Sequence, residues 1–272
     1  MKKTKLDKVA FIGSGRMAEA LISGLIKSKQ VIAEDIITSD VRFERLEQIK
    51  EDYRVRVTAV NQEAADFARI IVIAVKPQMF QEAVLSLKVD SQKLVISIAA
   101  GITLDTLKKY FPENPLVRVM PNNPALIGQG LSAVCAGDLA KEDDLQLTEQ
   151  IFKAVGKTVE VDEKLMDAVT ALSGSGPAFI YLMAETMIET GISLGLTKNI
   201  AQKLVLQTLL GSAQTVLKSK KSPRELKEMV TSPNGTTQAG LAVLENNKFA
   251  EALIEAIIAA AKRSHELSLE WT

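Results

Sequence analysis

Along residues 9–161, short apolar runs alternate with stretches whose apolar positions recur every three or four residues. Val9–Ile12, Asp35–Ser39, Ile70–Val75, Leu94–Ile98, Leu116–Met120, Leu131–Cys135 and Lys157–Val161 read as strands. Met17–Ile26, Arg42–Lys50, Pro77–Leu87, Thr103–Tyr110 and Lys141–Ala154 read as helices. Apolar strands separated by helices of about ten residues predict an α/β unit: a mostly parallel sheet covered on both faces, with right-handed crossovers.

After Asp162 the strand pattern stops. Asp162 reads as the N-cap of a helix over Glu163–Leu172, followed by helices over Pro177–Leu194, Thr197–Leu217, Pro223–Val230, Thr236–Glu245 and Phe249–Leu269. The predicted division is therefore residues 1–162, a Rossmann-like nucleotide-binding domain, and residues 163–272, an all-α dimerisation and substrate domain. The 177–194 helix is apolar on nearly every side, with Phe179, Ile180, Leu182, Met183, Met187, Ile188 and Ile192. Such a helix must be covered all round, and a small helical unit has too few surfaces to do it. A second copy of the chain is the expected cover, and the Ala-rich stretch from Ala250 to Ala261 permits the close packing this needs; a compact monomeric bundle is the alternative.

Composition narrows the function. The 272 residues include 33 basic and 33 acidic side chains, so overall charge gives no support to a nucleic-acid partner. No apolar run approaches the ~20 residues of a membrane span, and the Val9–Ile12 run is too short for a signal-peptide core. One cysteine, Cys135, leaves no intramolecular disulfide and fits a reducing, cytoplasmic setting.

Gly13-Ser14-Gly15-Arg16-Met17-Ala18 is a G-x-G-x-x-A pattern between the first strand and the first helix, the context a dinucleotide fingerprint requires. Gly13 permits the tight turn, Gly15 admits the pyrophosphate to the backbone, and Ala18 lets helix and strand pack closely. The second strand ends at Asp40, an acid placed to accept from ribose hydroxyls and favour NAD; Arg42, two residues on, suits a 2′-phosphate. The two signals conflict, and Asp40 as a simple helix N-cap is an equal alternative. Val75-Lys76-Pro77 and Ala99-Ala100-Gly101 follow later strands on the ligand edge of the sheet, where small residues leave room for a nicotinamide ribose, with Lys76 as a plain surface lysine an equal alternative.

A second candidate site is the loop 230–241, Val-Thr-Ser-Pro-Asn-Gly-Thr-Thr-Gln-Ala-Gly-Leu. Pro233 breaks helix and Asn234-Gly235 favours a turn; the helix that restarts offers free N–H groups and the hydroxyls of Thr236 and Thr237, a setting for a carboxylate. The bland alternative is an ordinary capped loop. The only histidine is His265, and no Ser/His/Asp set or Cys/His metal spacing is present, so no metal site is expected. Carbonyl reduction needs a proton donor, whereas an imine can arrive already protonated.

These residues resemble pyrroline-5-carboxylate reductases. The resemblance rests on the C-terminal signature Leu226–Leu244, with Val230, Thr231, Ser232, Asn234, Gly235, Thr237, Gly240 and Leu241 in place, on Asp167–Ala178, and on Val75-Lys76-Pro77 and Ala99–Thr103. It implies reduction of a cyclic imino acid, 1-pyrroline-5-carboxylate, to L-proline with NADPH or NADH. It also implies a homodimer through the helical domain, sometimes assembled into larger rings. By position it makes Thr237 the catalytic threonine at the ring nitrogen, Gly235 and Thr236 the carboxylate cradle, and Glu163 a substrate-side acid. Asp40, Arg42 and Asn61 fall at adenosine-side cofactor positions. Asp40 departs from the neutral residue common in NADPH-preferring members, and Asn234 replaces a common glycine. Two other readings stay open: a related oxidoreductase acting on another imine or a 3-hydroxy acid, and a catalytically silent nucleotide-binding protein.

Overall fold

The computed structural model describes residues 6–271; the basic residues 1–5 and residue 272 lie outside it. Eight strands form one sheet: β1 Val9–Ile12, β2 Ile36–Ser39, β3 Arg56–Thr58, β4 Ile70–Ile73, β5 Leu94–Ser97, β6 Leu116–Met120, β7 Gly130–Ala136 and β8 Gly156–Glu160. Their order is β3-β2-β1-β4-β5-β6-β7-β8, and every pair is parallel except β6–β7, which is antiparallel. The order reverses at β1, which opens a crevice between the C-terminal ends of β1 and β4.

The strands are apolar throughout because both faces are covered. On one face Val9 and Phe11 pack with Leu21, Ile22 and Leu25 of helix α1 (Arg16–Lys27), and with residues such as Ile151 and Phe152 that follow later in the chain. On the other, Ala10, Ile12 and Ile71 pack with Ala64 and Ala65, while Ile73 and Val95 pack with Phe80, Val84 and Leu107.

The remaining helices are α2 (Phe43–Tyr53), α3 (Asn61–Phe67), α4 (Phe80–Val84), α5 (Leu104–Tyr110), α6 (Glu142–Lys153), α7 (Met166–Val169), α8 (Gly176–Ser193), α9 (Lys198–Lys218), α10 (Pro223–Met229), α11 (Thr236–Asn246) and α12 (Phe249–Leu269). Three local expectations are corrected. The 77–87 helix is a 3-10 turn, Pro77–Met79, and the single short helix α4; Phe80 and Val84 anchor it, but the next apolar residue, Leu85, is exposed and the chain turns away. Asp162 holds the N-cap position before Glu163 as expected, but its side chain accepts no capping bond and pairs instead with Lys164 at 3.0 Å. The 163–172 helix breaks into a 3-10 turn, α7 and a π-helical turn over Thr170–Ser175.

Packing groups the chain into two units. Residues up to Ser175 and from Ala260 onward form the sheet unit, and Gly176–Ala259 form the helical unit. Within the helical unit, α8 and α9 make an antiparallel hairpin. Gly195 takes φ +98° at its turn, and the Thr197 hydroxyl accepts from the Ile200 N–H at the start of α9. Among its described residues only Ala184, Ala201 and Val205 are buried. Ile180, Leu182, Leu204, Leu206, Leu210 and Ile254 are all at least half exposed. This unit has little core of its own.

Candidate functional site

The fingerprint residues lie where the sheet's C-terminal edge is level: Ile12 pairs in register with Ser39 on one side and Ile73 on the other, and Ile73 with Ser97. Gly13 takes φ +96° there, and a Cβ on it would sit 2.8 Å from Val75 Cγ1 and 2.9 Å from the Ala74 carbonyl oxygen. The turn is pressed against the exit of β4, so only glycine fits. At Gly15 the nearest atom to a built Cβ is the Ala74 oxygen, 3.9 Å away. Gly15 is also the N-cap of α1, and no side chain caps that helix. An open glycine beneath an uncapped helix start fits a dinucleotide pyrophosphate. Arg16 is exposed at the first helical position, Met17 is half-buried, and Ala18 is buried against the sheet.

Asp40 is bound on every side. Its Oδ2 accepts from the Ser14 N–H (3.0 Å) and hydroxyl (2.8 Å), and its Oδ1 from the Arg42 N–H (3.0 Å). The Arg42 guanidinium adds two bonds of 2.9 Å. Burial alone would raise the Asp40 carboxyl, but the hydrogen bonds from Arg42 and Ser14 outweigh it and hold the group far below the usual carboxylate range. Asp40 is thus no N-cap: Arg42 occupies that position of α2. Arg45, which no sequence motif marks, donates to the Ser14 carbonyl (2.8 Å) and pairs with Glu19, which also accepts from the Tyr53 hydroxyl. Asn61 opens α3 and is held internally, its Oδ1 accepting from the Ser39 hydroxyl (2.7 Å) and its Nδ2 donating to the Ala83 carbonyl (3.0 Å).

Val75, Lys76 and Pro77 leave β4 on the same edge, with Lys76 exposed. Ala100 lies in the loop after β5, beside Gly101 at φ +78°. Glu163 reaches this loop: its Oε1 accepts from the Leu104 N–H at 2.8 Å and from Arg118 Nη1 at 2.9 Å. Arg118 is 6% exposed in the middle of β6, and an arginine inside the apolar run Leu116–Met120 is a signal visible in the sequence. Burial, and next the negative charge of Glu163, push the Cys135 thiol up to about 11, so it stays protonated and inert.

The 230–241 loop belongs to the helical unit. Asn234 takes φ +58°, with its N–H donating to Gln238 Oε1 at 2.6 Å. Gly235 is the N-cap of α11 without a side-chain cap, and a Cβ on it would sit 2.2 Å from Ser232 Oγ. Thr236 and Thr237 occupy the first two helical positions.

The similarity to known proteins runs over nearly the whole chain. Residues 163–267 match the family model described as pyrroline-5-carboxylate reductase dimerisation, and residues 8–101 match NADP oxidoreductase, coenzyme F420-dependent. A pyrroline-5-carboxylate reductase of Synechocystis is 45% identical over 261 residues, covering 96% of this chain and 98% of that protein. The chain belongs to the pyrroline-5-carboxylate reductase family. The Arabidopsis thaliana reductase is 41% identical over 263 residues, covering 96% of this chain and 95% of that protein. Among solved structures, the Plasmodium falciparum pyrroline carboxylate reductase with NADP bound superposes with a TM-score of 0.90 at 34% identity, covering 97% of this chain and 99% of the other. The Coxiella burnetii reductase gives 0.87 at 35% over the same shares. Family membership accounts for the joint presence of a nucleotide-binding sheet and a helical unit with little core of its own. Among the described residues no helix is long and apolar enough to cross a membrane.

Proposed function

We propose that this chain reduces 1-pyrroline-5-carboxylate to L-proline. What carries the reading most is family membership combined with an intact 230–241 loop whose helix start is free of any side-chain cap. A reduced nicotinamide, when bound, supplies the hydride for the imine carbon. The glycine turn of Gly13, Ser14, Gly15, Arg16, Met17 and Ala18 seats the pyrophosphate on α1. Asp40, Arg42 and Asn61 face the adenosine end, and Val75, Lys76, Pro77 and Ala100 the nicotinamide end.

Residues 163–272 form the substrate and dimerisation part. The N–H groups at Gly235 and Thr236 hold the substrate carboxylate, and the Thr237 hydroxyl accepts from the protonated ring nitrogen. Glu163 stands on the substrate side. As the carbon gains the hydride, the C=N electron pair returns to nitrogen. The nitrogen already carries its proton, so the chain needs no strong acid. NADPH is the leading cofactor, with NADH also used. The working form is a homodimer, able to assemble into a larger ring, in the cytoplasm.

Oxidation of NADPH and NADH, followed by absorbance, tests the reading with pyrroline-5-carboxylate and with a panel of ketoacids. Turnover confined to the imine supports it. Turnover of a ketoacid, or none at all, overturns it.

A further inference from the structure

Arg118 has no role in the reading above. It sits on β6 directly beside Ser97, the last residue of β5, in the strand register. Ser97 begins the loop that passes Ala99, Ala100 and Gly101 and ends at α5. The loop's far end is held by one group from elsewhere: the Leu104 N–H donates to Glu163 Oε1. Leu104 is the first residue of α5, so its amide has no acceptor inside the helix. Arg118 bonds the same oxygen. Both bonds land on Oε1, so a substrate-side role for Glu163 falls to Oε2.

The rest of the loop is also fixed. The Ala99 N–H donates to Ser97 Oγ (3.3 Å), the Ile102 N–H to the Ala99 carbonyl (3.3 Å), and the Thr103 hydroxyl caps α5. At Gly101 a Cβ would sit 3.2 Å from the Leu267 backbone, so the end of α12 lies against the loop. The loop is thus backed by α12 and tethered at its end by a carboxylate that a buried guanidinium holds in place. A guanidinium in so dry a site is costly unless paired, which keeps the carboxylate where it is.

We infer that Arg118 is a positioning residue: acting through Glu163 and the Leu104 N–H, it fixes the Ala99–Thr103 loop against which the nicotinamide reacts. The inference rests on the reading that the nicotinamide end of the cofactor lies at this loop. A small displacement of that end costs rate rather than binding, because the pyrophosphate and adenosine contacts lie on other strands.

The test uses the full-length enzyme with Arg118→Lys and Glu163→Gln. Lysine keeps the charge but loses the planar fork, and glutamine keeps the acceptor oxygen but loses the charge. In the cofactor-free protein, hydrogen exchange at the Leu104 amide should quicken by about tenfold in Arg118→Lys and less in Glu163→Gln. In turnover, kcat of Arg118→Lys should fall roughly tenfold with KM for NADPH within about twofold, and the deuterium isotope effect from 4-deuterated NADPH should rise. A folded Arg118→Lys protein with unchanged Leu104 exchange overturns the inference. So does faster exchange with unchanged kcat, which is the mark of a merely structural pair. If the wild type fails to reduce pyrroline-5-carboxylate, the functional reading fails first. The exchange experiment then decides the inference alone: quicker Leu104 exchange in Arg118→Lys supports it, and unchanged exchange overturns it.

Discussion

Asp40 and Arg42 lie two residues apart at the end of β2 and share a two-point ion pair, with Nε–Oδ1 and Nη2–Oδ2 both at 2.9 Å. The sequence sets them in opposition, one favouring a ribose diol and the other a 2′-phosphate. In the structure they neutralise each other. Asp40 is the fixed partner, its side chain 8% exposed and bonded to Ser14, while the Arg42 side chain is 62% exposed. A 2′-phosphate would compete with Asp40 for the exposed guanidinium.

Arg42→Ala should therefore raise KM for NADPH by roughly tenfold and KM for NADH by less than about twofold. Parallel steady-state titrations of both cofactors check this. Equal weakening, or none, removes Arg42 as the phosphate ligand.

Asp40 also gives an acid-side expectation. Its carboxyl is held below its unfolded value, which is about 3.9. The stability it contributes is present above that value and is lost as pH falls toward the folded one. Asp40→Asn should lower Tm at pH 7. The difference from wild type should narrow steadily below about pH 4. Calorimetric melts across that window decide it; a constant difference would sink the assignment.

Gly13 and Gly15 should fail in different ways. Gly13→Ala places a methyl group against Val75 and the Ala74 carbonyl at a positive φ, and should cost about 1–3 kcal/mol of stability. Gly15→Asp has room to fold, but its carboxylate would stand at the proposed pyrophosphate position. It should keep a near-normal Tm and lose measurable NADPH binding by titration calorimetry. Unchanged affinity in Gly15→Asp would falsify the pyrophosphate site.

The helical unit predicts its own partner. With only three described residues buried, Leu206 and Leu210, each more than half exposed, stand for an apolar surface that a second copy covers. Leu206→Glu with Leu210→Glu should reduce the dimer to monomer or aggregate by light scattering. A stable dimer of unchanged Tm would place the interface elsewhere.

Much of this was legible because two periodicities were strong. Strands such as Ile70–Ile73 are apolar at every position since both faces of the sheet are covered, and α1 follows a glycine turn in the strand–helix context a dinucleotide fingerprint requires. What was lost had weak patterns. β3 is a half-exposed edge strand with one apolar residue, Val57, and α3 buries only Ala64 and Ala65. The reversal at β6–β7 leaves no mark in hydropathy, because both strands are buried whichever way they run. At the site, the types and places of Gly13, Gly15 and Asp40 were readable, but their partners were not. That Ser14 binds Asp40, and that Arg118 grips Glu163, depends on contacts between residues 26 and 45 positions apart.

The sharpest test concerns Thr237. As the second residue of α11 it lies past the N-cap, which is Gly235, so the hydroxyl is not where a capping side chain stands. Nor does it fold back on the preceding turn, as Thr231 does onto the Lys227 carbonyl at 2.7 Å; among the described residues it forms no hydrogen bond. A half-buried hydroxyl left free at a helix start is available to a ligand. At the ring nitrogen of the substrate its value should appear mainly in the transition state. Losing one such bond costs ~1–3 kcal/mol, or about tenfold to a hundredfold in rate. Thr237→Ala should lower kcat/KM by that factor, with little change in Tm or in NADPH affinity. Thr237→Ser keeps the hydroxyl and should retain most activity. A structural role would reverse the pattern, lowering Tm while leaving turnover intact. Steady-state kinetics and a thermal melt on both variants separate the two, and a stable Thr237→Ala protein with wild-type kcat/KM ends the catalytic reading.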